Sequence, residues 1–263
     1  MKQAFFRTLE TIKMHWYLIL LIVALDIAFL YAFGKVYASI FQTTAAHLDT
    51  INQLLQGSIG QFTTTSDPGA LNIGIEQFNQ EVAFVKLGIA YILGYLLLFW
   101  LAFQGPAWYI IHRITGKPRL PRFALRFVLT TIIGFAAFVG ILIGIVALSF
   151  KTFSSPLPLI GQGGINTLAA IAVLALAYLV FVAYALPDNV QFWRSFVRTA
   201  FRRITTTGLA YVLVLIVLAV LYAIMIWVLK QNVLAGFAFG AIILLPIFAA
   251  LRVFFVESIK EKD

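Results

Sequence analysis

Long apolar runs, separated by short clusters of basic residues, glycine and proline, set the pattern of this chain. Six runs reach the roughly 20 residues that a helix needs to cross a bilayer core. They cover 16–33, 82–103, 127–150, 165–186, 208–229 and 234–255. This pattern predicts an all-α fold, a polytopic transmembrane bundle of six helices forming a single integral membrane domain over 1–263. The first run exceeds the apolar core of a signal peptide and lacks a small-residue cleavage pattern after it, so it reads as a retained span.

The connections differ in kind. Residues 35–80 form the only long one, read as an extracytoplasmic loop. It carries Asp49, Asp67, Glu76 and the turn signal Ser66-Asp67-Pro68-Gly69. Phe41, Ala45, Leu48, Ile51 and Leu55 follow helical spacing, predicting a short amphipathic helix before that turn. The helix after it starts near Leu71 and runs without a breaker into the second span. Pro118 and Pro121 predict a tight bend before the third span.

A basic and aromatic segment, Pro187 to Arg203, lies between the fourth and fifth runs. Arg194, Arg198 and Arg202 share one helical face, and Trp193, Val197, Ala200, Phe201 and Ile204 crowd the other, the pattern of a helix lying flat on a membrane. Each even span meets a proline and then an arginine: Pro106 and Arg113, Pro187 and Arg194, Pro246 and Arg252. FFRT at 5–8 resembles FVRT at 196–199. These echoes predict three in-out-in hairpins, each entered by a basic interfacial helix. Pro and Arg at ordinary helix ends produce the same spacing without a repeat.

Composition narrows the class. Apolar residues make up 62% of the 263 and charged residues 11%, with a mean hydropathy of +0.98. A soluble domain is excluded. The net charge of +9 sits in short junctions instead of on one soluble face, which argues against nucleic acid. Fifteen of the nineteen Lys and Arg fall at the N-terminus, in the 105–126 and 187–206 junctions and at the C-terminal end. Lys35, Lys86, Lys151 and Lys230 fall on the other side. The positive-inside rule therefore puts both termini in the cytoplasm and the protein in the cell membrane. The lack of an Asn-x-Ser/Thr sequon is compatible with a prokaryotic membrane.

The stretch ALPDNVQFWRSFVRTAFRR, 185–203, with its basic-aromatic entry helix and Pro-terminated spans, resembles poorly characterised prokaryotic six-span membrane families. These include the membrane domain associated with some glycerophosphodiester phosphodiesterases. The rest of the chain shares only their hydropathy. Nothing corresponds to that enzyme's soluble catalytic domain, so the resemblance implies no phosphodiesterase activity and carries over no functional residue.

Chemistry-bearing residues are few. Asp26 falls near the middle of the first span, where an ionised carboxylate is expensive. It reads as a proton, cation or substrate site, or as a structural acid, either neutral within the bundle or paired with Lys86. Arg113, Lys117, Arg119, Arg122, Arg126, Arg194, Arg198, Arg202 and Arg203 are candidate contacts for anionic lipid head groups, or set topology alone. Gly140 with Gly144, and Gly236 with Gly240, place small residues one turn apart, as close helix packing requires. Ala169, Ala172, Ala175 and Ala177 give the fourth span the same character.

His15, His47 and His112 lack metal-ligand spacing. There is no cysteine, P-loop, GxGxxG or GxSxG, so neither cofactor nor enzyme activity is expected. A lipid enzyme would have to start from His112, Arg113 and Asp188. The reading that remains is a non-catalytic accessory or scaffold subunit, contacting lipid and partner subunits or a second copy. The alternative is a small-solute or ion transporter working through Asp26, which requires water to reach that residue.

Overall fold

A computed structural model of the chain describes residues 2–61, 68–116, 118–154, 161–186 and 191–260, with side chains in 57–61, 68–74 and 153–154 left undescribed. Among the described residues every regular element is helical. Ten α-helices and three π turns run in the order α1 Lys2–Met14, α2 Trp16–Gln61, α3 Pro68–Phe99, a π turn Trp100–Gln104, α4 Gly105–Thr115 and α5 Leu120–Ser154. They continue with α6 Gln162–Ala185, α7 Phe192–Val197, a π turn Arg198–Arg202, α8 Ile204–Gln231, α9 Val233–Phe239, a π turn Gly240–Leu244 and α10 Leu245–Lys260.

Six helical segments are long and apolar enough to span a membrane: Trp16–Gln56, Ile75–Thr115, Leu120–Thr152, Gln162–Ala185, Ile204–Gln231 and Val233–Lys260. The protein is an integral membrane protein with an all-α, six-helix transmembrane architecture. Large apolar side chains such as Ile143, Val146, Phe150, Leu234 and Ile242 lie open on the helix surfaces. In water such a surface would aggregate; in a bilayer it faces a solvent as apolar as itself.

Contacts divide the protein into two compact units. The first comprises Met1–Ile27 and Leu101–Asp263. Its fully buried side chains include Ile22, Trp108, Ile111, Val182, Val214, Val253, Phe255 and Val256. At its centre Phe181 meets Trp108, Tyr211 and Phe255 edge-on, at centroid separations of 5.6, 6.0 and 5.8 Å, within the range aromatic pairs favour. The core therefore gathers where α4, α6 and α10 end and α8 begins. α1 packs on α10, and the C-terminal segment is largely buried through Ile259.

The second unit, Ala28–Trp100, is an antiparallel helical hairpin. Phe29 meets Trp100 edge-on at 5.8 Å, Thr44 abuts Gly88, and His47 reaches Glu81 and Phe84. Each step along α2 is matched by a step back along α3. A Cβ at Gly88 would stand 3.3 Å from Cβ of Thr44 and closer still to its hydroxyl, so glycine permits this approach. The loop expected over 35–80, with one short amphipathic helix, is instead mostly helix. The apolar spacing of Phe41 to Leu55 belongs to the unbroken α2, because no residue between Trp16 and Gln61 breaks it. The predicted turn at Ser66 and Asp67 lies outside the described residues.

Pro106 and Pro246 do not end their spans. A proline lacks the N–H for the i−4 carbonyl and its ring presses on that carbonyl. Here a π turn directly upstream, Trp100–Gln104 and Gly240–Leu244, widens the helix and lets it continue. α6 lacks such a turn up to Ala185. The expected threefold repeat is thus matched in this device by the second and sixth spans, and Pro187 lies outside the described residues. The expected bend falls after Thr115, where Pro118 and Arg119 are non-helical.

Candidate functional site

Asp26 stands ten residues into α2, about 15 Å from Trp16 at 1.5 Å per residue. Gln104 lies eleven residues before the end of α4, about 16 Å, and Arg252 eight before the end of α10, about 12 Å. Three helices thus bring their polar side chains to a common depth. Gln104 Nε2 donates to Asp26 Oδ1 at 2.8 Å, and Arg252 Nη2 donates to the same oxygen at 3.1 Å. All three residues are buried, at 3%, 3% and 2% exposure. The Arg252 guanidinium also lies 4.0 Å from the ring centroid of Phe248, one turn earlier on α10. Asp26 is therefore ion-paired, and its partner is Arg252, not Lys86, which is exposed on α3.

Only one oxygen of Asp26 takes both bonds. Among the described residues, Asp26 Oδ2, Gln104 Oε1 and Arg252 Nη1 are buried without a partner, leaving two acceptors and one donor around one ion pair. Such a half-satisfied cluster is costly in an apolar medium. It ties α2, the π turn and α10 together, and it has polar capacity to spare.

Sequence reasoning found Asp26 and missed its partners. Arg252 counts in the sequence as an interfacial charge, and its burial depends on the path α10 takes after the π turn. Gln104 is the sole polar residue in FWLAFQGPAW, a signal available without any structure. The residue six places after each of these prolines turns inward: His112 after Pro106 and Arg252 after Pro246.

His112 is buried and its Nε2 donates to the backbone oxygen of Tyr184 at 2.7 Å. Tyr184 in turn shares a 2.8 Å hydrogen bond with Thr131. That places His112 in a helix-to-helix tie between α4 and α6, with one ring nitrogen held by backbone. Arg113 is exposed at the end of α4, and Asp188 lies outside the described residues. His15 Nδ1 is buried without a partner, and His47 Nδ1 donates to Glu81 at 2.6 Å.

The candidate lipid contacts separate into groups. Arg194, Arg198 and Arg202 are exposed and line one cavity of about 850 Å³ with Trp193. Arg126 is half-buried on α5 with its guanidinium 5.4 Å from the Phe192 ring. Arg119 is exposed, Arg122 and Arg203 are half-buried, and Lys117 lies outside the described residues.

The glycine expectations need correction on α5. Gly140 and Gly144 have open space where a side chain would stand, and the close approach is at Gly134, whose Cβ would lie 2.8 Å from Val180 Cγ2. α5 meets α6 near its middle, one to two turns before the GILIG stretch. At Gly236 a Cβ would collide with Leu229, and at Gly240 it would stand 3.3 Å from Met225 Sδ. Both contacts hold α9 and its π turn against α8. A search of protein-family models, of curated proteins and of solved structures returned no match.

Proposed function

We propose that this protein is a non-catalytic accessory or scaffold subunit of the cell membrane that offers the Ala28–Trp100 hairpin to a partner. The observation that carries this reading is the length of α2. Its 46 residues extend about 69 Å, more than twice the roughly 30 Å of a bilayer core. About 26 residues are left to project. α3 is matched to that projecting part by the Thr44–Gly88 approach and the His47–Glu81 contact. Along it Phe41, Leu48 and Leu55 recur every seven residues and are exposed, a stripe suited to a helical partner.

The alternative, a small-solute or ion transporter using Asp26, draws support from the three unpartnered polar atoms around the ion pair. Cysteine labelling separates the two readings, because the chain has no native cysteine. Thr43→Cys, on the exposed side of the hairpin, is expected to react with a membrane-impermeant thiol reagent. Ile22→Cys, fully buried one turn before Asp26, is expected to stay unlabelled. Labelling of Ile22→Cys in a folded protein would favour the transporter, and a silent Thr43→Cys would overturn the projecting hairpin. Phe41→Asp with Leu48→Asp is expected to release a stoichiometric partner while helical content is unchanged. Retention of that partner would overturn the role assigned to the stripe.

A further inference from the structure

Arg194, Arg198 and Arg202 are spaced by four residues. In a regular α-helix of 3.6 residues per turn, each such step drifts about 40° around the axis, and the drift accumulates. Here the second step crosses a π turn, closed by the hydrogen bond from Arg203 N to Arg198 O at 3.0 Å. A turn closed five residues back is wider than an α turn, so it drifts the opposite way and cancels much of the first offset. Arg194, Arg198 and Arg202 accordingly line a single cavity of about 850 Å³.

Side chains hold this turn. Tyr178 Oη donates to Ala200 O at 3.0 Å, and Thr207 Oγ1 lies 3.0 Å from Thr199 O and 2.9 Å from Arg203 O. A cavity walled by three arginines fits a phosphate anion, whose several oxygens accept the guanidinium forks. A second cavity, of about 390 Å³, adjoins it and shares Gln191, Trp193 and Arg194 with the first. Leu125, Leu129 and Ile133 of α5 and Phe192 of α7 give this second cavity an apolar wall. A basic pocket opening onto an apolar groove matches a molecule with a phosphate head and a hydrocarbon tail better than it matches free phosphate.

We infer that α7, its π turn and the adjoining face of α5 form a binding site for an anionic phospholipid. Arg194, Arg198 and Arg202 hold the head-group phosphate, and the α5 groove receives an acyl chain. This site stands independently of the accessory-subunit reading.

The test reconstitutes the full chain in phosphatidylcholine vesicles and measures, by electron spin resonance, the motionally restricted fraction of spin-labelled phosphatidylglycerol against that of spin-labelled phosphatidylcholine. The wild type is expected to prefer phosphatidylglycerol. Converting all three arginines (R194Q, R198Q and R202Q) is expected to lower that preference by about five-fold or more, the effect of about one interfacial charge or more. A charge-matched control with R7Q, K13Q and R113Q is expected to change it less than two-fold. Arg198→Gln alone, at the centre of the row, serves if the triple variant loses its helical content. A preference that survives the arginine substitutions, or falls equally in the control, overturns the site. Inorganic phosphate is expected neither to displace the lipid nor to alter tryptophan fluorescence of the detergent-solubilised wild type. A phosphate-induced change lost in the triple variant, with no lipid preference, would assign the pocket to soluble phosphate and overturn the lipid claim.

Discussion

Asp26 with Arg252 and Glu81 with His47 are both acid–base contacts between helices, and they sit in opposite surroundings. The Asp26 and Arg252 side chains are 4% and 2% exposed; those of Glu81 and His47 are 17% and 27%. In the first pair both charged side chains are withdrawn from the surface, so losing one partner leaves the other in an apolar medium. The second lies on a part-exposed face, where water replaces a lost partner at little cost. Packing differs in parallel. The hairpin is held by steric fit at Thr44 and Gly88 with a weak polar clasp beside it, whereas in the larger unit Arg252 pairs with a buried charge.

The sharpest way to break this comparison is to remove one member of the buried pair. Asp26→Leu leaves a guanidinium that keeps its charge, and a loss of about 3–5 kcal/mol is expected in denaturant unfolding of the detergent-solubilised protein. Asp26→Leu with Arg252→Met removes both charges and is expected to regain most of that loss. An additive double variant would show that the pair is not coupled.

Gly88→Val tests the hairpin's dependence on fit. It forces a side chain into Thr44 and is expected to cost about 1–3 kcal/mol, read as earlier protease cleavage within Ala28–Trp100. Gln104→Leu removes a hydrogen bond to a charged group, at about 1.5 kcal/mol in the same unfolding assay. The smallest effect is expected at His47→Ala, below about 1 kcal/mol and shrinking further as salt is raised. A large, salt-insensitive loss there would erase the contrast between the two pairs.

The π turns sharpen a further contrast. Before Pro106 and Pro246 a π turn carries a span past a residue that would ordinarily end it. In Arg198–Arg202 no proline is involved, and the turn re-aims a row of arginines. The same local widening serves continuity in one place and alignment in the other.

Much of this was legible along the chain. The six spans follow from apolar length, because a helix is the only single-strand answer to burying a backbone in lipid. Asp26 was legible for the same reason: a lone carboxylate among apolar residues has to be paid for by something. The row of Arg194, Arg198 and Arg202 along α7 and its π turn was legible too, as a period of four.

What the carboxylate is paired with was not legible. Arg252 and Asp26 are separated by 226 residues, and a basic residue near a span's end carries the same sequence signal whether it points into head groups or inward. Only the packing of α10 against its neighbours, after a π turn, decides between them. The continuity of α2 through 35–61 was hidden because a polar helix and a polar loop share composition; the pairing with α3 selects the helix. The close approaches lie at Gly134 and Gly88 and not at the paired glycines of α5, because a small residue permits contact while only the partner helix supplies it. Local sequence thus determined which segments cross the membrane and that Asp26 lies within one of them, both set by transfer from water into lipid. The tertiary structure alone decided which helices meet at that charge, since this depends on side chains brought together from distant parts of the chain.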